Sequence, residues 1–178
     1  MTPLPEDLVA GVIEKGIKHP ISIVLQEHCY SAALVLTYSG MDTMAFLGMP
    51  SEKTYVMRSD FIAWTEHYVR SPFREEVSAL DLYGARCSVL HGGAASRLSQ
   101  SSECKTLRHS ELRFEEPLSP KVVIAPVGEL VRAFFAGIDQ FLLDVSQDEK
   151  RAKSVGQRLR YLMETMPYVS ETVDGKRG

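Results

Sequence analysis

The sequence predicts a mainly α-helical single domain, a helical bundle with a small β-hairpin inserted between the helix ending at His91 and the helix that follows. Three observations predict it. Apolar residues recur three and four apart over most of the chain, the period of a helix with one buried face. Glycine and proline punctuate those stretches at their ends. One short stretch before residue 125 departs from this pattern and is rich in β-branched residues. With 178 residues, the chain is long enough for one domain with a real core and short for two. Residues 1–169 are read as that domain and 170–178, polar and glycine-containing, as a frayed tail.

Residues 6 to 17 place Leu8, Val9, Val12, Ile13 and Ile17 on one face. Gly11 and Gly16 weaken this helix, and His19-Pro20 is expected to end it. From Ser22 a long central helix runs through Val24, Leu25, Ala32, Leu36, Met44 and Leu47 to the stop at Gly48-Met49-Pro50. Residues 54 to 70 carry Met57, Phe61, Trp64 and Tyr68, an aromatic stripe read as core, before Ser71-Pro72. Phe73 to His91 is expected to bury Val77, Leu80, Gly84 and Cys87 and to stop at Gly92-Gly93. Two short strands, one near Lys105 to Phe114 and one at Lys121 to Ile124, would form the hairpin around Glu115-Glu116-Pro117. Val127 to Val145 is the strongest amphipathic stretch, with Leu130, Val131, Phe134, Ile138, Phe141, Leu142 and Val145 on one face. Ser146 and Glu149 match a capping box, so a last helix is expected to start there and run to Met166.

Composition narrows the function classes. A hydrophobic share of 44% and a charged share of 24% lie in the globular range. A net charge of -3 argues against a broad nucleic-acid or membrane footprint, so a nucleic-acid site would be a local patch. The three cysteines, Cys29, Cys87 and Cys104, form no C-x-x-C pair and indicate neither a disulfide framework nor a zinc knuckle. The N-terminal residues lack a basic start and an apolar run, so no export signal is read. The charge-free run Cys29 to Met41 is shorter than the roughly 20 residues of a spanning helix. A cytoplasmic protein without a membrane segment is expected. No serine-hydrolase elbow or phosphate-binding loop occurs, and His19, His28, His67 and His109 show no metal spacing, so neither cofactor nor metal is expected. Lys150, Arg151, Lys153, Arg158 and Arg160, offset by Asp148, Glu149 and Glu164, read as a solvated face that could extend an RNA-binding surface.

The chemically suggestive feature is Arg86 with His91 in Leu82-Tyr83-Gly84-Ala85-Arg86-Cys87-Ser88-Val89-Leu90-His91-Gly92-Gly93. A guanidinium can clamp phosphate oxygens, and an imidazole can take or return a proton near neutral pH. In RNA the 2′-hydroxyl supplies the nucleophile, so a base and a cation suffice for phosphodiester cleavage without a metal. With twelve Arg and five His in the chain, an Arg-x4-6-His match is expected about once by chance. The competing reading pairs Arg86 with Asp42, Asp60 or Asp81 and leaves His91 at a helix C-terminus, where a cation gains ~0.3 to 1 kcal/mol.

Together with Tyr30-Ser31-Ala32-Ala33-Leu34-Val35-Leu36-Thr37-Tyr38-Ser39-Gly40-Met41-Asp42, that segment resembles the HEPN superfamily of prokaryotic helical domains, the resemblance covering residues 22 to 145. It implies a bundle that pairs across the helices bearing an Arg-x4-6-His motif. It also implies a homodimer whose composite site holds two Arg and two His, and metal-independent endoribonuclease activity. Arg86 would then be the phosphate clamp, His91 the general acid/base and Asp42 a supporting acid, with RNA and a protein such as an antitoxin as partners. Active members often carry Asn, Asp or His directly after the Arg, where this chain has Cys87. The alternative is therefore a catalytically inactive HEPN-like module that binds protein or nucleotide, with Arg86 structural. Cys87 itself can equally be a small buried hydrophobe.

Overall fold

A computed structural model of the protein describes residues 4–50, 52–69, 77–91, 104–111 and 121–165. The chain is mainly helical: α1 (Glu6–Leu8), a π-helical stretch (Val9–Lys18), α2 (His19–Gln26), α3 (Tyr30–Gly48), α4 (Arg58–Tyr68) and α5 (Ala79–Leu90) come first. Two strands, β1 (Thr106–Ser110) and β2 (Val122–Pro126), precede α6 (Val127–Ser146) and α7 (Glu149–Thr165). The expected stops at Ser71-Pro72 and Gly92-Gly93, the turn at residues 115–117, Met166 and the tail from 170 lie outside the described residues.

α3 occupies the centre, in contact with the π-helical stretch and with α2, α4, α5, α6 and α7. Such a position requires a helix that is buried on several sides, which explains why Asp42 is its one charged residue. Tyr38, Met41, Met44 and Leu47 are fully buried there, against Phe61 of α4, Phe134, Ile138 and Phe141 of α6, and Leu159 of α7. The aromatic stripe of α4 is core, as its spacing predicts: Trp64 meets Phe134 and Phe141 edge-on, and Tyr68 meets Phe141. Met57 is the exception, half exposed at the N-cap. Two glycines permit the close approach of α6. A Cβ at Gly40 would stand 2.9 Å from the Phe134 ring, and one at Gly137 would stand 2.7 Å from the Tyr68 carbonyl oxygen.

Several boundaries differ from the sequence reading. His19-Pro20 does not end the first helix. The hydrogen-bond ladder changes there from the wider π register to the α register, and Pro20 falls in the first turn of the new stretch, where a missing N–H is tolerated. The break comes later and splits the helix predicted from Ser22. His28 adopts φ 56, its N–H donates to the Leu25 carbonyl at 3.1 Å, and the Cys29 N–H donates to Val24 at 2.8 Å. This is a Schellman ending with histidine in the left-handed position that glycine usually holds. α5 begins at Ala79, after Val77 and Ser78, because Ser78 and Asp81 cap it reciprocally: the Asp81 N–H donates to Ser78 Oγ and the Ser78 N–H to Asp81 Oδ2; the expected start at Phe73 lies outside the described residues. Leu82, not Leu80, is the deeply buried leucine of that helix. At the other end, Ser146 closes α6 by donating to the Leu143 carbonyl, and Asp148, not Ser146, caps α7 by accepting from the Arg151 N–H at 3.0 Å.

The predicted hairpin is corrected. β1 and β2 pair in parallel, Thr106 opposite Val122 through Ser110 opposite Pro126, so the chain must return from the end of β1 to the start of β2 rather than turn tightly. β1 packs on α5 and β2 on α6, which gives the ribbon a base on the helices. The contact is partly polar. His109 is largely buried, with Nε2 3.0 Å from the Tyr38 hydroxyl; its Nδ1 faces the Ala125 backbone but has no hydrogen-bond partner among the described residues. Burial pushes the His109 imidazole down to about 4.

An imidazole whose pKa is lowered on folding binds fewer protons in the native state than in the unfolded chain. Its contribution is therefore intact above the unfolded value near 6.5 and is lost as pH falls toward 4. Urea unfolding between pH 7 and pH 4 should show a loss of about 3 kcal/mol from this group. The slope should shrink in His109→Gln; an unchanged slope would assign the acid sensitivity elsewhere.

Candidate functional site

Two helices bring the candidate residues together. α5 carries Tyr83 and, one turn on, Arg86 and Cys87, and its C-cap residue is His91, whose N–H still donates to the Cys87 carbonyl at 3.1 Å. α3 supplies Asp42. The Arg86 guanidinium donates twice to one Asp42 oxygen, Nε at 3.0 Å and Nη2 at 2.7 Å. Its remaining nitrogen, Nη1, stands 3.2 Å from His91 Nε2 and 3.9 Å from Cys87 Sγ. All three residues singled out from the sequence, Arg86, His91 and Asp42, thus form one chain of contacts. The other two candidate partners of Arg86 are engaged elsewhere. Asp81 caps α5 and accepts from the Lys105 N–H, and Asp60 caps α4 and pairs with Lys53.

Arginine has no acceptor, so a hydrogen bond at this contact has Nη1 donating to a lone pair on His91 Nε2, as in the tautomer that carries its proton on Nδ1. Burial works against the Arg86 charge, but the hydrogen bonds and attraction of Asp42, with a smaller part from Cys87, outweigh it and raise its pKa. The side chains are neither sealed nor free: Arg86 is 21% and Asp42 27% exposed, so water and a ligand can reach the pair. Cys87 is buried, in keeping with a small apolar role.

Two further residues belong to this surface and escape the sequence reading. The Tyr83 ring lies 5.9 Å from the Arg86 guanidinium carbon and 5.5 Å from that of Arg58, the first residue of α4. Two guanidinium groups beside one carboxylate leave this patch positively charged, the local feature that a net-acidic chain needs to attract a phosphate. Tyr83, three residues before Arg86 on the same face, was legible from helical spacing. Arg58 carried no signal, because only the packing of α4 on α5 brings it near. Burial raises the Tyr83 hydroxyl, Cys87 adds to the rise, and the two arginines partly offset it.

Among the described residues no group of three or more His, Cys, Asp and Glu side chains is arranged to hold a metal. No described helix is long and apolar enough to cross a membrane. Comparisons with protein-family models, with curated proteins and with solved structures find no match to this chain.

Proposed function

We propose that the chain is a metal-independent endoribonuclease of the HEPN kind, with Arg86 as phosphate clamp, His91 as general acid/base and Asp42 as the residue that orients Arg86. The observation that carries this reading is the 3.2 Å contact between Arg86 Nη1 and His91 Nε2, which sets a guanidinium beside an exposed imidazole. A clamp and a base lie side by side, at a helix end where a strand of RNA can reach them. In this reading a second copy of the chain contributes its own Arg86 and His91. One imidazole takes the proton of the 2′-hydroxyl as its oxygen attacks phosphorus. The other returns a proton to the departing 5′-oxygen, and the guanidinium groups stabilise the pentacovalent anion. The products are a 2′,3′-cyclic phosphate and a 5′-hydroxyl.

The test is cleavage of several single-stranded and structured RNAs in EDTA, with the ends of the products identified. Cyclic phosphate ends formed without metal are expected, and a complete lack of cleavage would sink the proposal. A specific observation also favours the second reading, a non-catalytic module. The Asp42 and Arg86 pair joins α3 to α5, so it supports the fold whatever else it does. In that case Arg86→Ala lowers the melting temperature, and no RNA is cleaved by the unaltered protein.

A further inference from the structure

The groove between the end of α3 and the start of α7 combines features that the Arg86 site does not use. Two cavities of about 330 Å³ each share Gly48, Met49, Pro50 and Arg151. Each is at the small end of the roughly 300–1,000 Å³ typical of small-molecule sites, and together they form one elongated site. One half is polar, with Lys150, Arg151 and Ser154 on its wall together with the carboxylate of Glu52. The other half is aromatic. Trp64, His67 and Tyr68 line it, with the His67 and Tyr68 ring centroids 4.4 Å apart and those of Trp64 and Tyr68 5.3 Å apart. Arg151 joins the halves by donating to the Tyr68 hydroxyl at 3.2 Å.

The charges on this wall do not cancel. Asp60 is engaged by Lys53 and the Met57 N–H, and Glu52, which lines the first cavity, also attracts the Arg158 guanidinium. His67 faces Asp144 at 3.8 Å. Lys150 and Arg151 form no ion pair among the described residues and are exposed. The Met49 and Pro50 carbonyls already accept from Arg158. One donor is conspicuous: Trp64 Nε1 is buried without a hydrogen-bond partner among the described residues, its indole edge directly beneath exposed Gly48, where a Cβ would stand 3.0 Å from Cδ1. A buried indole N–H ordinarily finds an acceptor.

We propose that this groove binds a nucleoside monophosphate unit, with its phosphate between Lys150 and Arg151 and its base along the Trp64, His67 and Tyr68 wall. The ligand class follows from the chemistry. Two exposed cations without an ion pair among the described residues call for a dianionic or monoanionic phosphate, and the rings call for a flat partner. Neither Arg86 nor His91 lines either cavity, so the inference stands independently of the ribonuclease reading.

Trp64 is the protein's single tryptophan, so its fluorescence reports on this groove alone. AMP, GMP, CMP and UMP would be titrated to about 10 mM, in the weak end of the affinity range, with equilibrium dialysis in parallel. Adenosine and inorganic phosphate serve as separate arms. A saturable response to at least one mononucleotide is expected, with adenosine and phosphate each weaker. Lys150→Glu/Arg151→Glu should weaken binding at least about tenfold, while Lys15→Glu, an exposed cation that lines neither cavity, leaves it unchanged. Should the double variant fold poorly by circular dichroism, Lys150→Ala decides the question with the same readout. A short single-stranded RNA that binds tighter than the monomer identifies a strand as the source of the phosphate; monomer binding alone identifies a free nucleotide. No saturable binding of any mononucleotide by either method, or an affinity untouched by the charge variants, overturns the proposal.

Discussion

His91→Ala is expected to lower metal-independent RNA cleavage by about 10²- to 10⁴-fold, the usual contribution of a positioned general acid/base, with little change in stability. The reason for separating the two effects is the residue's position. His91 is exposed at the C-cap of α5, and its side chain contacts Arg86. Losing an exposed side chain there should cost within about 0.5 kcal/mol. Initial rates on RNA in EDTA, measured beside thermal denaturation, check both halves of the expectation. His91→Gln sharpens the result, since an amide can still accept from Arg86 Nη1 but cannot carry the proton. It should be as slow as alanine. A variant that cleaves at the full rate would remove His91 from the chemistry.

The largest effect on stability is expected at Arg158. Its guanidinium is buried within the turn that follows α3, where it donates to the carbonyls of Leu47, Met49, Pro50 and Lys53 and stacks 5.5 Å from the Phe46 ring. A helix leaves its last carbonyls without internal partners, and here a cation from α7 satisfies them while lying at the negative end of the α3 dipole. Burial pulls the Arg158 pKa down, and Glu52 and Asp60 partly restore it. Arg158→Ala removes the donors and leaves these groups buried and unpaired, a loss of about 3–5 kcal/mol. Urea denaturation measures it. Arg158→Met keeps the apolar stem, so a comparable loss in that variant assigns the effect to the hydrogen bonds. A loss below about 1 kcal/mol in both would show that water replaces the guanidinium at no cost.

The same residue shows how a sequence reading fails. Within Lys150, Arg151, Lys153, Arg158 and Arg160 all five are alike in charge, and a solvated face is the natural expectation. Four of them are exposed and Arg158 is not. Nothing local separates it, because its partners lie more than a hundred residues earlier, at the end of α3. Asp42 is the opposite case. A single carboxylate in a nineteen-residue helix without other charge announces that it has a partner, and the sequence narrowed the choice among carboxylates to three. Packing decided among them, since capping had already claimed Asp60 and Asp81. Ser146 and Asp148 illustrate a smaller error of the same kind: two potential caps stand two residues apart, and the end of α6 determines which is free to serve.

The sequence by itself determined the helical character of the chain, the buried stripe of α6, the core role of Phe61, Trp64 and Tyr68, and the place of Arg86 and His91 at one helix end. Those are local properties, set by a period of 3.6 residues and by capping within a turn. The tertiary structure alone decided the parallel direction of β1 and β2, the pairing of Arg86 with Asp42, the approach of Arg58 to Tyr83 and the burial of Arg158. Each depends on which distant segments meet, and the free energy that selects those meetings comes from burying faces and satisfying polar groups across the whole core.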